Sequence, residues 1–112
     1  MGKVIVCYKW VLDEADIRIN ADLSVDFSRA KYKISDYDKN SIEAGSRAAK
    51  AMGAASVALS CGSAETRKSF ADALARGIDE GFWVNTGAAA VDGAQTGRMI
   101  AAAVNSIGDA VL

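Results

Sequence analysis

The stretch Lys3-Val4-Ile5-Val6-Cys7-Tyr8-Lys9-Trp10-Val11 opens the chain with an almost unbroken apolar run. A run of this kind reads as a strand buried on both faces, and a parallel sheet covered by helices on both sides buries strands in that way. A second run, Ser56-Val57-Ala58-Leu59-Ser60, passes straight through Cys61-Gly62-Ser63 into a helical pattern. A glycine-containing turn and a helix start at the carboxyl end of a buried strand are where open α/β sheets bind ligands. The remaining segments read as strands and helices added around these two.

Composition narrows the class. The 112 residues make one domain or part of one. Hydrophobic residues are 51% and charged residues 24%, and the formal net charge is −1. Basic and acidic residues are interspersed, so no basic stripe points to nucleic acid. No run approaches the roughly 18 apolar residues of a membrane span, and the N-terminus enters a strand without a signal-peptide core. A cytoplasmic protein without membrane insertion is the expectation. Cys7 and Cys61 belong to no CxxC pair and read as reduced thiols. Histidine is absent, which excludes Ser-His and Cys-His catalysis and imidazole metal ligands.

Ile17-Arg18-Ile19 and Val25-Asp26-Phe27 alternate with period two around the turn formers from Asn20 to Ser24. This predicts a β-hairpin beside the main sheet with Ile17, Ile19, Val25 and Phe27 on one face. Residues 28–38 read as an irregular connection anchored by Tyr32, Ile34 and Tyr37. The spacing predicts a first helix from about Ser41 to Met52, with an inward stripe of Ile42, Gly45, Ala49 and Met52 and a stop at Gly53. Asn40 and Glu43 form a capping box for it, or Asp38 caps it instead. A second helix runs from an N-cap at Ser63 to Gly77, with Thr66, Phe70, Ala73 and Leu74 inward. Phe82-Trp83-Val84 predicts a third strand with Trp83 in the core, entered by a turn in which Asp79 is structural. Asn85 to Gly93 reads as a small-residue loop, Ala94 to Ile107 as a third helix, and Asp109 to Leu112 as the start of a fourth strand. The alternation of strands and helices is an α/β pattern. Because it ends inside a strand, the chain reads as an N-terminal piece of a larger domain or a shortened relative of one.

Four strings, taken in order, resemble the β subunit of electron-transfer flavoproteins, the FixA-like family. They are Lys3-Val4-Ile5-Val6-Cys7-Tyr8-Lys9, Arg18-Ile19-Asn20, Ser60-Cys61-Gly62-Ser63-Ala64-Glu65 and Ala73-Leu74-Ala75-Arg76-Gly77-Ile78-Asp79-Glu80-Gly81. The resemblance spans essentially the whole chain and the first half of a typical member. It implies an adenine-nucleotide α-hydrolase-like, Rossmann-like fold: a three-layer sandwich whose parallel sheet runs in the order 3-2-1-4-5, with the hairpin as an addition. It also implies a nucleotide over the carboxyl ends of the strands, AMP in ordinary members or a second FAD in electron-bifurcating ones. The implied partner is a flavin-carrying α subunit, and the chain is then an electron-carrier subunit rather than an enzyme.

Carried over residue by residue, Cys7 lies where the family's first strand touches the nucleotide, and Cys61 lies at the second strand end. Ser35 lies where the family has the asparagine of an Asn-Pro-Phe-Asp string. Ser35-Asp36-Tyr37-Asp38 keeps the aromatic and the final aspartate, but a serine offers less hydrogen-bonding edge than an amide. The family's phosphate-binding loop would follow Leu112, so the isolated chain is expected to hold a nucleotide through its first two strand ends or to hold none.

The candidate binding residues are Cys7, Lys9, Ser35, Asp38, Cys61, Gly62 and Ser63, none of them catalytic and none a metal ligand. A plain structural role competes at most of them. Cys7 suits a packed strand position, Lys9 a solvated charge, Asp38 a helix cap, and Gly62 with Ser63 a turn and its cap. A helix start behind Cys61 would lower its thiol pKa. Trp10 is placed to face a ligand or a partner. A stand-alone, stress-protein-like nucleotide-binding module of the same fold is the alternative reading. A pyrophosphatase-type enzyme would need an SGGxDS-like loop after the first strand, where Lys9-Trp10-Val11-Leu12 stands. Val111-Leu112 should expose a sheet edge, inviting homo-oligomers through strand pairing.

Overall fold

In the computed structural model, which describes residues 2–87 and 91–112, the opening run is divided in two. In chain order the elements are β1 (Lys3–Cys7), β2 (Trp10–Leu12), β3 (Arg18–Ile19), β4 (Val25–Asp26), β5 (Tyr32–Ile34) and α1 (Asp36–Met52). Then come β6 (Ala55–Gly62), α2 (Ala64–Arg67), α3 (Phe70–Ala75), β7 (Glu80–Asn85) and α4 (Gly93–Ile107). The single first strand expected through Val11 ends at Cys7 because the backbone changes partner. Tyr8 N–H still reaches Leu59 O at 3.1 Å, but Lys9 O accepts from Ser35 N–H at 3.0 Å. From there β2 pairs antiparallel with β5, Trp10 opposite Ile34 and Leu12 opposite Tyr32.

The main sheet is parallel. β1 pairs with β6 from Lys3 opposite Ala55 to Cys7 opposite Leu59, and β6 pairs with β7 from Val57 opposite Glu80 to Gly62 opposite Asn85. On the free side of β1, Ala110 bridges Lys3, Val111 N–H donates to Lys3 O and Ile5 N–H donates to Leu112 O. The strands therefore lie as third, second, first and fourth, the opening of the expected 3-2-1-4-5 order. Period two assigns the faces. Val4, Val6 and Ala58 face one way, and Val6 and Ala58 meet Tyr8, Ile34, Ile42, Ala73 and Ile78 in the core, with Phe70 packed on its border. Val57 and Leu59 face the other way, towards α4, whose Ala103 is buried. The strand buried on both faces is β6; β1 is sealed at Val4 and Val6 but leaves Cys7 exposed. Each of the large apolar side chains so buried contributes roughly 1.5–3 kcal/mol.

Several local expectations fail for identifiable reasons. The stretch expected to be irregular contains β5, whose Ile34 is 0% exposed, and it leads directly into α1. The helix starts at Asp36 because Ser35 O accepts from the N–H groups of Asp38 and Lys39. The Asn40–Glu43 box does not form, and Glu43 pairs instead with Arg47 at 2.7 Å. Tyr37 is 86% exposed and anchors nothing, and Met52 and Leu74 also lie outside their helices' buried stripes. The second helix is two short ones, since the Ser69 hydroxyl is buried and donates to Thr66 O, a bond that competes with the helical ladder. Trp83 is half-buried, its indole N–H donating to Gly62 O at 3.1 Å. The small-residue loop from Asn85 to Gly93 includes residues 88–90, which lie outside the described residues.

β3 and β4 form the expected hairpin, Arg18 opposite Asp26 and Ile19 opposite Val25. It projects as an arm, and the molecule measures 55 × 25 × 19 Å. The arm turns through Leu23, which takes a left-handed conformation at φ 68° and costs roughly 1 kcal/mol for a residue with a Cβ. Near its base Lys33 Nζ lies 3.3 Å from Asp13, 3.0 Å from Glu14 and 2.9 Å from Asp36. The carboxylates hold the lysine pKa above its usual range. Lys39 and Lys33 together hold Asp36 down at about 2.

Two substitutions test this packing. A Cβ at Gly45 would run into the Val6 side chain, so Gly45→Ala should lose about 1–3 kcal/mol, read as a lower urea midpoint at unchanged m. Asp79 accepts from Ser56 N–H at 2.9 Å and Ser56 Oγ at 3.0 Å, which lowers its pKa from 3.8. A depressed folded pKa gives stability that is present above the unfolded value and lost as pH falls through the folded one. Asp79→Asn should therefore flatten the acid limb of the stability profile below about pH 4 and lower stability near neutrality.

Candidate functional site

The register sets Cys7 beside Leu59, so the carboxyl ends of β1 and β6 open at the same end of the sheet. The chain leaving β1 is caught by the first turn of α1. Asp38 Oδ2 accepts from Lys9 N–H at 2.7 Å while Ser35 N–H donates to Lys9 O. At the end of β6, Gly62 O accepts from Thr86 N–H at 3.0 Å as well as from the Trp83 indole. A side chain at Gly62 would strike Thr66, so only glycine lets this turn lie so close to α2.

Two adjoining clefts result. The first, about 260 Å³, has Cys7, Leu59 and Cys61 along its base, Lys9 and Asp38 on one side, and Thr96 and Ile100 of α4 opposite. The second, about 540 Å³, shares Lys9, Cys61 and Thr96 with the first and extends past Gly62 and Ser63. It ends at Trp10 and Tyr32, stacked with ring centroids 6.0 Å apart and planes 9° from parallel.

Of the seven candidate residues, Cys7, Lys9, Asp38 and Cys61 line the first cleft, and Lys9, Cys61, Gly62 and Ser63 line the second. Ser35 lines neither; it is the N-cap of α1, and its backbone holds Lys9. Asp38 is not the cap, since its carboxylate turns back to Lys9. Ser63 precedes α2 in an extended conformation and makes no side-chain capping bond.

The thiols are not activated. Burial pushes Cys7 up from 9.0, helped by Cys61 and then Asp38, and burial pushes Cys61 up as well. The expected lowering of Cys61 by a helix start fails because α2 is four residues long, too short for an appreciable dipole. Among the described residues, no three His, Cys, Asp or Glu side chains converge as a metal would require. The first cleft is mostly apolar, with the Asp38 carboxylate and Lys9 along one side.

Sequence reasoning missed Thr96 and Ile100 as cleft residues. Both lie in the segment read only as a third helix, Thr96 four residues before Ile100 and so on the same helix face. Tyr32 was read as an anchor, and its stacking on Trp10 follows from a β2–β5 pairing that the period-two signal of three-residue strands is too short to announce.

A family model described as the electron transfer flavoprotein domain matches residues 22–112. The chain belongs to this family. The match begins in the arm's turn, so Ser35, Asp38, Cys61, Gly62 and Ser63 of this electron transfer flavoprotein domain fall within it, while Cys7 and Lys9 precede it. The α/β fold, with helices flanking a parallel sheet, is in keeping with that family.

The raised thiol pKa values make a direct prediction. Labelling of Cys7 by iodoacetamide, followed by mass spectrometry, should rise with pH about a midpoint above 9.0. In Cys61→Ser the midpoint should move down, because one of the charges that opposes the Cys7 thiolate is gone.

Proposed function

We propose that this domain is the nucleotide-binding part of an electron-transfer flavoprotein β subunit. In this reading it holds an adenine nucleotide at the carboxyl ends of β1 and β6 and pairs with a flavin-carrying α subunit in passing electrons from dehydrogenases. It serves as a carrier subunit rather than a catalyst. Its two free cysteines accord with the reducing cytoplasm.

The observation that carries this reading is the slot between Cys7, Leu59, Cys61 and Ile100 with Asp38 on its edge. Asp38 spends Oδ2 on Lys9 N–H, and its Oδ1 is left as an acceptor for an exocyclic amine such as adenine carries. At about 260 Å³ the slot falls just short of the roughly 300–1,000 Å³ that encloses a drug-sized ligand. It thus suits a base, with the sugar and phosphate continuing past Lys9 into the second cleft. Cys7, Cys61 and Asp38 would hold the base, with Lys9, Gly62 and Ser63 near the phosphate and Ser35 acting only by fixing the Lys9 peptide. AMP fits this division, and FAD requires that the second cleft take a further ring. Bound AMP would contribute structure, whereas bound FAD would add an electron-carrying ring; the chain's own part in either case is to bind and orient.

The test is thermal unfolding with AMP, FAD and GMP. A ligand at 100 times its dissociation constant adds about 2.7 kcal/mol if it binds only the folded state. AMP or FAD should raise the transition and GMP should not, and Cys61→Phe, which fills the slot, should abolish the effect. Equal response to GMP, or a response that survives Cys61→Phe, would overturn the assignment of the slot.

A further inference from the structure

Given a nucleotide in the two clefts, as proposed above, their charges decide how much phosphate it brings. Among the described residues that line them, Lys9 is the only cation, whereas Asp38 and Glu65 supply two carboxylates. Asp38 is engaged with Lys9 N–H. Glu65 lies in the second cleft, beyond Gly62 and Ser63 on the way from Lys9. Lys68 Nζ meets Glu65 Oε1 at 2.8 Å, but Lys68 lines neither cleft and its side chain is 68% exposed. An exposed pair of this kind offsets little of the carboxylate's charge on its cleft side. With four residues, α2 adds no appreciable positive end.

We propose that Glu65 limits the second cleft to mononucleotides with a single phosphate, so that AMP is accepted while ADP and ATP are turned away. A terminal phosphate carries about −1.5 to −2 charge near pH 7. Lys9 and the Ser63 hydroxyl, which makes no capping bond, can meet one such group. Each further phosphoryl group carries negative charge past Lys9 into a region lined by Glu65, Trp10, Tyr32 and Thr86, where no cation stands. There it faces a like charge across a concave wall, and repulsion at that distance is stronger than between the same groups in bulk water. A dinucleotide such as FAD has only diester phosphates and no terminal dianion, so the limit falls on the free phosphate chain of mononucleotides.

Isothermal titration calorimetry of the full chain with AMP, ADP and ATP tests this, in EDTA so that no divalent cation shields the phosphates. Two salt concentrations are used, about 50 mM and about 500 mM, between which the screening length falls roughly threefold. At low salt AMP should bind at least about fivefold more tightly than ATP, with ADP between them, and the preference should shrink at high salt. Glu65→Gln should cut the AMP-over-ATP ratio about fivefold, and Glu65→Asp should keep most of it. Lys68→Gln strips the carboxylate of its counter-charge and should enlarge the ratio. In the double variant Glu65→Gln, Lys68→Gln the ratio should stay reduced, which separates loss of the carboxylate from release of Lys68. Equal affinity for AMP and ATP in the parent, a preference that Glu65→Gln or high salt leaves unmoved, or one restored in the double variant would overturn the role of Glu65 and leave the slot standing. No binding of AMP at all would overturn the slot itself, and the role of Glu65 with it.

Discussion

Two hydrogen bonds to the backbone of one residue organise the site end of this domain. Lys9 N–H is taken by Asp38 and Lys9 O by Ser35 N–H, so the residue that follows β1 is held between the first turn of α1 and the sheet. Holding it there does three things at once. It ends the strand, it turns the chain away towards β5, and it leaves Cys7 and Cys61 facing open space. Were Lys9 to continue along β6, the strand would run on over the region where the first cleft now opens. A side-chain carboxylate bound to a backbone amide makes a strong clamp, because the acceptor is charged.

The same geometry explains why the site reads as a binding surface and not as reactive machinery. Its sulfur atoms are partly desolvated, which favours the neutral thiol, and the chain has no histidine to take a proton from either. The charges present are the Asp38 carboxylate, already bound to backbone, the Glu65 carboxylate in the second cleft, and one lysine at the junction of the two clefts. In the first cleft polarity is thus confined to a few points on an otherwise apolar lining, while the second is more polar.

Much of the sheet was legible in the sequence because buried strands announce themselves by content. Ser56 to Ser60 and the region around Phe82-Trp83-Val84 were found, while the order of strands through the fourth came from the family resemblance. The failures cluster where a hydrogen bond made at a distance overrides the local pattern. Nothing near Lys9 reveals that Ser35 and Asp38 will claim its peptide, so the end of β1 was placed too late. Nothing near Ser69 reveals that its hydroxyl, also bonded to Tyr8, will break a helix. The start of α1 was missed by five residues because Asn40 and Glu43 satisfy a capping rule that Ser35 makes irrelevant. For the site, residue types were the useful signal at strand ends, whereas Thr96 and Ile100 come from a helix whose closeness to those ends only the packed structure reveals.

The tip of the arm shows a different kind of departure. Folding stability alone would favour glycine at position 23 and a polar face on the ribbon beneath it, yet the chain has Leu23, Ile19 and Phe27 there. Such a segment is locally frustrated: Leu23 raises the free energy of the turn while its side chain and that of Ile19 stay mostly exposed. Near the arm's base the domain resolves such a conflict internally, where Lys33 draws three carboxylates together. At the tip the conflict stays open, and the lowest state of the arm depends on what surrounds it.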